Sequence, residues 1–487
     1  MQVAMQRADE TIKIYHNAHF WCNERLAWRG PQATLVVHGD HIASLSEGPP
    51  PEALAAARAN RVIDLDGAYV IPGLINTHCH LTLNNPAVVM GVADFLRLRR
   101  ADPSAQWQKS VDDCLARGIH TVRDAWAGDL AALDQVASLA PLRLRRSVVV
   151  GPLGAAFTPR RTLGRRLIEK LAGIASLPYT DPRCGMVVFG RDAGPTAARD
   201  AVRRAVEERG AHCIKVYEQR EHMLSYRPGA PLMSEAELQA VVEAAHALGV
   251  PVTAHVVSVE SFRRCLAARV DTFAHLPRDA ALSDADITRF VDQRTIIEPT
   301  LSLLLGYAWP FDPQVRTCPD AATIAALRDA LLAPWIDLSW NPELAPIAHN
   351  GARRLRAGHT RIFGLLPARR VFTYYGAIAT HGLANLRRIA AAGGRIACAN
   401  DGGVPPLLPA SLDVEYRLLN TLLPEYFYGA RLLRAATHES AAAIGLSEDL
   451  GDLQPGKRAD MVFYMQDPCA HPELLGTPTH HPLSSAG

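Results

Sequence analysis

The 487-residue chain carries no excess charge of either sign: 51 lysines and arginines face 49 aspartates and glutamates, a formal +2 at pH 7. Such a balance gives no electrostatic footprint for nucleic acid or an anionic membrane. No uninterrupted apolar run reaches about 18 residues, so no segment reads as a membrane span. The opening stretch MQVAMQRADETIKIYHNAHFW lacks a basic region followed by an apolar one, and no secretory signal is expected. The nine cysteines are scattered without CxxC spacing. In a large chain, that pattern predicts reduced thiols and a cytoplasmic location rather than a disulfide framework. No internal repeat or low-complexity segment stands out. What remains is ordinary for a soluble protein with a sizeable core: 48% hydrophobic and 21% charged residues.

Two β-rich pieces lie at opposite ends. TIKIYHNAHFW, ATLVVHGDHIASL and NRVIDLDGAYVIPG alternate apolar and polar residues between turn signals, and GDLQPGKRADMVFYM repeats the pattern late in the chain. Pairing them predicts a small β-sandwich from residues 1–70 plus 450–468, flanking a central domain over 71–449. In that domain eight short apolar runs alternate with Ala/Leu/Arg-rich helical stretches. They are YVIPGLINTHCH, GIHTVRDA, RLRRSVVVGP, AHCIKVYE, VPVTAHVV, VDTFAHL, TIIEPTL and GRIACANDGG. Eight strands alternating with helices predict an α/β fold, a (β/α)8 TIM-type barrel. The competitor is a doubly wound open sheet, but no GxGxxG turn follows the first strand. The interval before the eighth strand is too long for a plain connection. An insertion over about 303–375 reads as a helical lid, with a surface excursion or subunit-contact arm as alternatives. Residues 469–487 read as an extended tail, in which His480 and His481 are not expected to form a site.

His78 and His80 sit two apart at the end of the first barrel strand, so they share a face while Cys79 points away. An H-x-H pair alone is weak evidence for a metal, and core or hydrogen-bonded histidines are the commoner reading of it. The later strands change the balance. His255 ends VTAHV, His275 ends DTFAHL, Asp401 follows the last strand, and Lys215 lies in a strand between apolar neighbours. An unpaired ammonium there is costly. Each residue has a bland reading of its own, but in a barrel all of these strand ends converge on one mouth.

At this point the chain resembles the amidohydrolase superfamily, through GLINTHCH, GIHTVRDA, FAHL and ATHESAAAIGL to GDLQPGKRADMVFY, which is similar to a family ending G-x-L-x-P-G-K-x-A-D. The lysine of IKVY resembles the two-metal branch that includes imidazolonepropionase-related and Xaa-Pro dipeptidase-like hydrolases. The resemblance implies two divalent ions, zinc first among them, and a CO2-derived carbamate on Lys215. By position, it implies that His78, His80 and Asp401 bind the buried ion and that His255 and His275 bind the more exposed one. Lys215 as carbamate would bridge the two, and Asp401 would serve as general base and then acid. Imidazole and carboxylate suit zinc-like ions, and two ions about 3.5–4 Å apart need an anionic bridge.

Some features depart from the family pattern. Asn400 stands where the family's GTDxG has threonine, and the loop GPLGAAFTPRRTLGRR lacks the Gly- and His-rich character of relatives, so their substrate contacts are not transferred. Tyr217 lies two residues beyond Lys215, on the site side, and Arg220 follows; both are candidate substrate contacts, with a surface ion pair to Glu218 or Glu221 as the alternative for Arg220. Arg160 and Arg161 have the same ambiguity. Asp124 is expected to hydrogen-bond structurally, and Cys79, Cys213 and Cys398 to face outward into packing. The expected activity is hydrolysis of a C–N bond in an amide, cyclic amide or dipeptide-like small molecule, by a chain that is a possible homo-oligomer and has neither nucleic-acid nor membrane partners. An aminohydrolase (deaminase) or a biosynthetic cyclase on the same fold is the alternative. A non-enzymatic scaffold ranks last, because all six ligand positions are kept.

Overall fold

A computed structural model describes residues 12–52, 61–83, 102–139, 141–158, 177–221, 228–308, 377–404 and 407–479, with short pieces between 315 and 367. The expected insertion lies mostly outside the described residues, as do Arg160, Arg161, His480 and His481. Among the described residues no helix is long and apolar enough to cross a membrane.

Strands β1 (Ile12–Cys22), β2 (Ala27–His38), β3 (His41–Ser46) and β4 (Val62–Pro72) come first; β16 (Met461–Tyr464) comes last and pairs antiparallel with β4. The two ends of the chain thus join in one five-stranded sheet, ordered β16-β4-β1-β2-β3, whose register shifts within β1. Phe20, Leu35, Val70 and Leu453 are buried in its core. Asp460 rivets this module to the barrel. Its carboxylate accepts from His120 Nδ1 at 2.6 Å and Arg143 Nη1 at 2.8 Å, and a Cβ at Gly73 would overlap it.

The second sheet is the barrel. Its eight strands are β5 (Leu74–Cys79), β6 (Ile119–Asp124), β7 (Arg143–Pro152), β9 (Cys213–Glu218), β10 (Val252–Val256), β11 (Thr272–Ala274), β12 (Ile296–Glu298) and β15 (Arg395–Ile396), all parallel. They are buried along almost their whole length, as parallel strands covered by helices must be. The cylinder closes at a seam beyond β15: Thr77 N donates to Cys398 O, Asp401 N to His78 O, and His80 N to Gly402 O, at 3.2, 2.9 and 2.6 Å. Three strands were not anticipated: β8 (Met186–Phe189) pairs with the last four residues of β7, and β13 (Arg361–Ile362) and β14 (Leu366–Pro367) pair antiparallel with each other.

On the face where the strands end, successive loops finish in serine N-caps. Ser234, Ser258 and Ser283 each accept from the third residue of the next helix and open Glu235–Ala247, Val259–Ala267 and Asp284–Asp292 in capping boxes. Such caps fix where a loop stops and so stiffen the site face. Past β16 the chain stays on the barrel. Pro472–Leu474 form one 3-10 turn, Leu475 is buried, and Thr479 N donates to Phe463 O at 2.8 Å.

Candidate active site at the barrel mouth

Every candidate ligand lies at or just past the C-terminal end of a barrel strand, except Lys215, which lies within β9. Its register partners are Thr253 on β10 and Val149 on β7. Nitrogens of His78 and His80 and an oxygen of Asp401 lie within 4.8 Å of one another, the arrangement of a metal site. Asp401 Oδ1 is 3.1 Å from His80 Nε2 and 3.4 Å from His78 Nε2, and Oδ2 is 3.9 Å from His275 Nε2. The His275 and His255 rings stand 4.3 Å apart. Asp401 (φ +53°) and His275 (φ +71°) both hold left-handed backbone, which branched or bulky residues rarely adopt and which clusters at functional sites. Gly403 is required beside them, because a Cβ there would overlap the His80 carbonyl.

The histidines are set by what their other nitrogens touch. His80 Nδ1 is 2.8 Å from the Trp126 carbonyl, and His275 Nδ1 is 2.7 Å from Thr300 Oγ1, leaving each Nε2 facing Asp401. Burial, and then the Lys215 charge, hold His78 and His255 well below the usual histidine range; His275 is lowered too, by burial and then by His255. All three are neutral at pH 7, with lone pairs to give. Burial alone would lower His80 as well, but the Asp401 carboxylate holds it above its ordinary value. Burial and Arg123 lower the Lys215 amine to about 8. Lys215 Nζ and His255 Nε2 are buried with no hydrogen-bond partner among the described residues. Neutral imidazoles, a carboxylate and orphaned nitrogens at one point are the donor set a zinc-like ion needs. Among the described residues, His78, His80 and Asp401 fit a divalent ion of this kind.

Asn400 replaces the family threonine with a different support. Its Oδ1 accepts from Asn76 Nδ2 and Gly402 N, and its Nδ2 donates to Leu408 O, so it ties the first strand to the Asp401 loop. Asp124 accepts from the backbone N–H groups of Leu81 and Trp126. Arg220 points elsewhere: it is 55% exposed and forms a two-point pair with Glu260 at 2.6 and 2.8 Å, neither of the neighbours considered above. Tyr217 stacks on His255 at 5.0 Å, and Lys215 Nζ lies 5.5 Å from its ring centre. Cys79 and Cys398 join the hydrophobic core. Cys213 does not face outward, because it is two residues from Lys215 and shares that face; its sulfur is 4.0 Å from Arg123 Nη1.

Several residues of the site escaped the sequence reading. Arg123 and Glu298 are both fully buried in the barrel interior and paired at 2.6 and 2.8 Å, with Glu298 Oε2 at 3.7 Å from His78 Nδ1. Their signal was visible as a charge at an inward position of a strand, in TVRDA and TIIEPTL. Trp126 borders His80, Phe157 lies against Trp126 and Tyr217, and nothing in their spacing marked them.

The sequence profile of the Amidohydrolase family matches residues 69–476. No curated protein matches the chain by sequence. Among solved structures, a Xaa-Pro dipeptidase with bound methionine aligns with TM-score 0.63 and 17% identity over 96% of this chain and 97% of that one. Molinate hydrolase aligns with TM-score 0.65 and 16% identity over 96% and 93%. The A. niger ochratoxinase aligns with TM-score 0.62 and 16% identity over 96% and 94%. At these identities the likeness is one of fold.

Proposed function

Since the chain belongs to the amidohydrolase family, we propose that it is a hydrolase that cleaves a C–N bond of a small amide, cyclic amide or N-acyl amino acid with two divalent ions, zinc before others. One observation carries this reading: nitrogens of His78 and His80 and an oxygen of Asp401 lie within 4.8 Å of one another in a buried cluster, with His275 beside Asp401 and His255 beside His275. His78, His80 and Asp401 would hold the inner ion, His255 and His275 the outer one, and Lys215 as carbamate would bridge them. When bound, the ions would bring a water's pKa towards about 7 and polarise the scissile carbonyl.

The chain's own residues do the rest. With its pKa at about 8, Lys215 keeps a neutral fraction at pH 7. That neutral amine adds to CO2, forming an N–C bond and releasing one proton to solvent. The carbamate reaches further than a glutamate would. Asp401 takes the proton of the attacking water and delivers it to the leaving nitrogen. The Trp126 carbonyl and Thr300 hydroxyl keep His80 and His275 from turning. Similarity of fold to a Xaa-Pro dipeptidase supports placing dipeptides in the substrate panel.

The test has two arms. Elemental analysis of purified protein should find about two metal ions per chain. A screen of N-acyl amino acids, dipeptides and cyclic amides on metal-loaded protein, with Asp401→Asn as the blank, should find turnover that the variant lacks. Protein that holds no metal, and gains no turnover from any, overturns the reading.

A further inference from the structure

One flank of the site is aromatic. Phe157 lies flat on Tyr217, with ring centres 4.1 Å apart and planes 1° from parallel, and Tyr217 stacks in turn on the candidate ligand His255. Trp126 meets Phe157 edge-on at 4.8 Å and lies 6.4 Å from the His80 ring. Three rings that are not ligands therefore form an arc between two that are. Trp126 is buried, whereas Phe157 and Tyr217 each keep part of their surface open.

The loop that presents Phe157 is held in place. It follows β7 directly: Leu153 N donates to Phe189 O at 2.9 Å, Gly154 N to Thr158 O at 2.7 Å, and the buried Thr158 hydroxyl to Pro152 O. The turn needs Gly154, whose φ is +101°. A partly open aromatic side chain on a pinned loop, stacked through one tyrosine onto a candidate ligand histidine, is a preformed contact surface beside the reacting centre. Aromatic rings recognise flat apolar groups through stacking and area burial.

We propose that Phe157 is a specificity-determining residue of this site, selecting substrates that set an aryl or similarly flat apolar group beside the scissile C–N bond. The proposal rests on the hydrolase reading above for the reaction, but not for the contact itself. The Phe157 side chain has no group that can give or take a proton; its part is to discriminate between substrates.

Benzoate and acetate, two carboxylates that differ in the flat group alone, serve as binding probes on metal-loaded protein by calorimetry. Benzamide and acetamide derivatives of one amine serve as the kinetic pair. In the unmodified protein benzoate should bind about tenfold tighter than acetate, and kcat/KM should favour the benzoyl substrate by a similar factor. Phe157→Ala should bring both ratios towards one, Phe157→Leu should recover little despite its bulk, and Phe157→Tyr should keep the preference. If the ratios in Phe157→Ala and Phe157→Leu equal those of the unmodified protein, the proposal is overturned. A benzoate preference lost in Phe157→Ala without hydrolysis of any substrate supports the contact while the reaction reading fails. Hydrolysis with ratios indifferent to Phe157 does the reverse.

Discussion

Arg123 on β6 and Glu298 on β12 pair through two hydrogen bonds of 2.6 and 2.8 Å, and neither side chain has any exposed surface. The guanidinium also donates to the Ala443 carbonyl at 3.2 Å, and the carboxylate borders His78. A charge pair this deep is held by mutual satisfaction, since desolvation opposes each partner alone.

Removing one partner should therefore cost much more than removing both. Arg123→Met should lower unfolding free energy by about 3–5 kcal/mol, because it strands a buried carboxylate. Arg123→Met combined with Glu298→Leu should recover most of that loss. Denaturant titration of the two single variants and the double variant measures the coupling, and strictly additive losses would contradict a coupled pair.

If Lys215 bridges two ions as proposed, Lys215→Ala should lower metal content well below that of the unmodified protein. Elemental analysis after dialysis reads the change. Removing the metal from unmodified protein with a chelator should also lower Tm, since ions that bind only the folded chain stabilise it by mass action. A Tm that does not respond to the chelator would argue against a structural contribution from the ions.

Glu415 predicts a pH dependence away from the ligands. It is fully buried, accepts from Leu301 N, Ser302 N and the Ser302 hydroxyl at 2.9, 2.8 and 2.7 Å, and burial raises it from 4.5 to about 7. Below about pH 4.5 the carboxyl is protonated in both folded and unfolded chains. Between there and about pH 7 only the folded chain keeps its proton, so stability falls as pH rises, and above about 7 the loss is complete. Across that window the group should remove on the order of 3 kcal/mol. Glu415→Gln cannot ionise, so its stability relative to the unmodified protein should rise between pH 5 and pH 7.5, about the pKa in question. Denaturant titrations at the two pH values test the sign.

The barrel was legible because each of its strands is a short apolar run bounded by turns, and local chemistry alone writes that pattern. The clustering of His78, His80 and Asp401 was legible for the same reason: a polar residue at the end of an apolar strand has one direction to face. What stayed hidden depends on partners far along the chain. Arg220 meets Glu260 forty residues away, not its neighbours Glu218 or Glu221. Glu415 caps a helix start 114 residues earlier. Arg123 and Glu298 lie 175 residues apart in sequence, and only the closed sheet sets them face to face. Cys213 is a different case, since the two-residue spacing from Lys215 already put it inside.

The seam that closes the cylinder has a further consequence. Its hydrogen bonds use the backbone of Thr77, His78, His80 and Asp401, three of which also carry candidate ligand side chains. Unzipping the first strand from the last therefore dismantles the inner cluster in the same event, and an ion held by that cluster is a clasp on the seam. Amide hydrogen exchange at Thr77, His80 and Asp401 should slow markedly when metal is added, while exchange at positions such as Val37 on β2, in the other sheet, should change little.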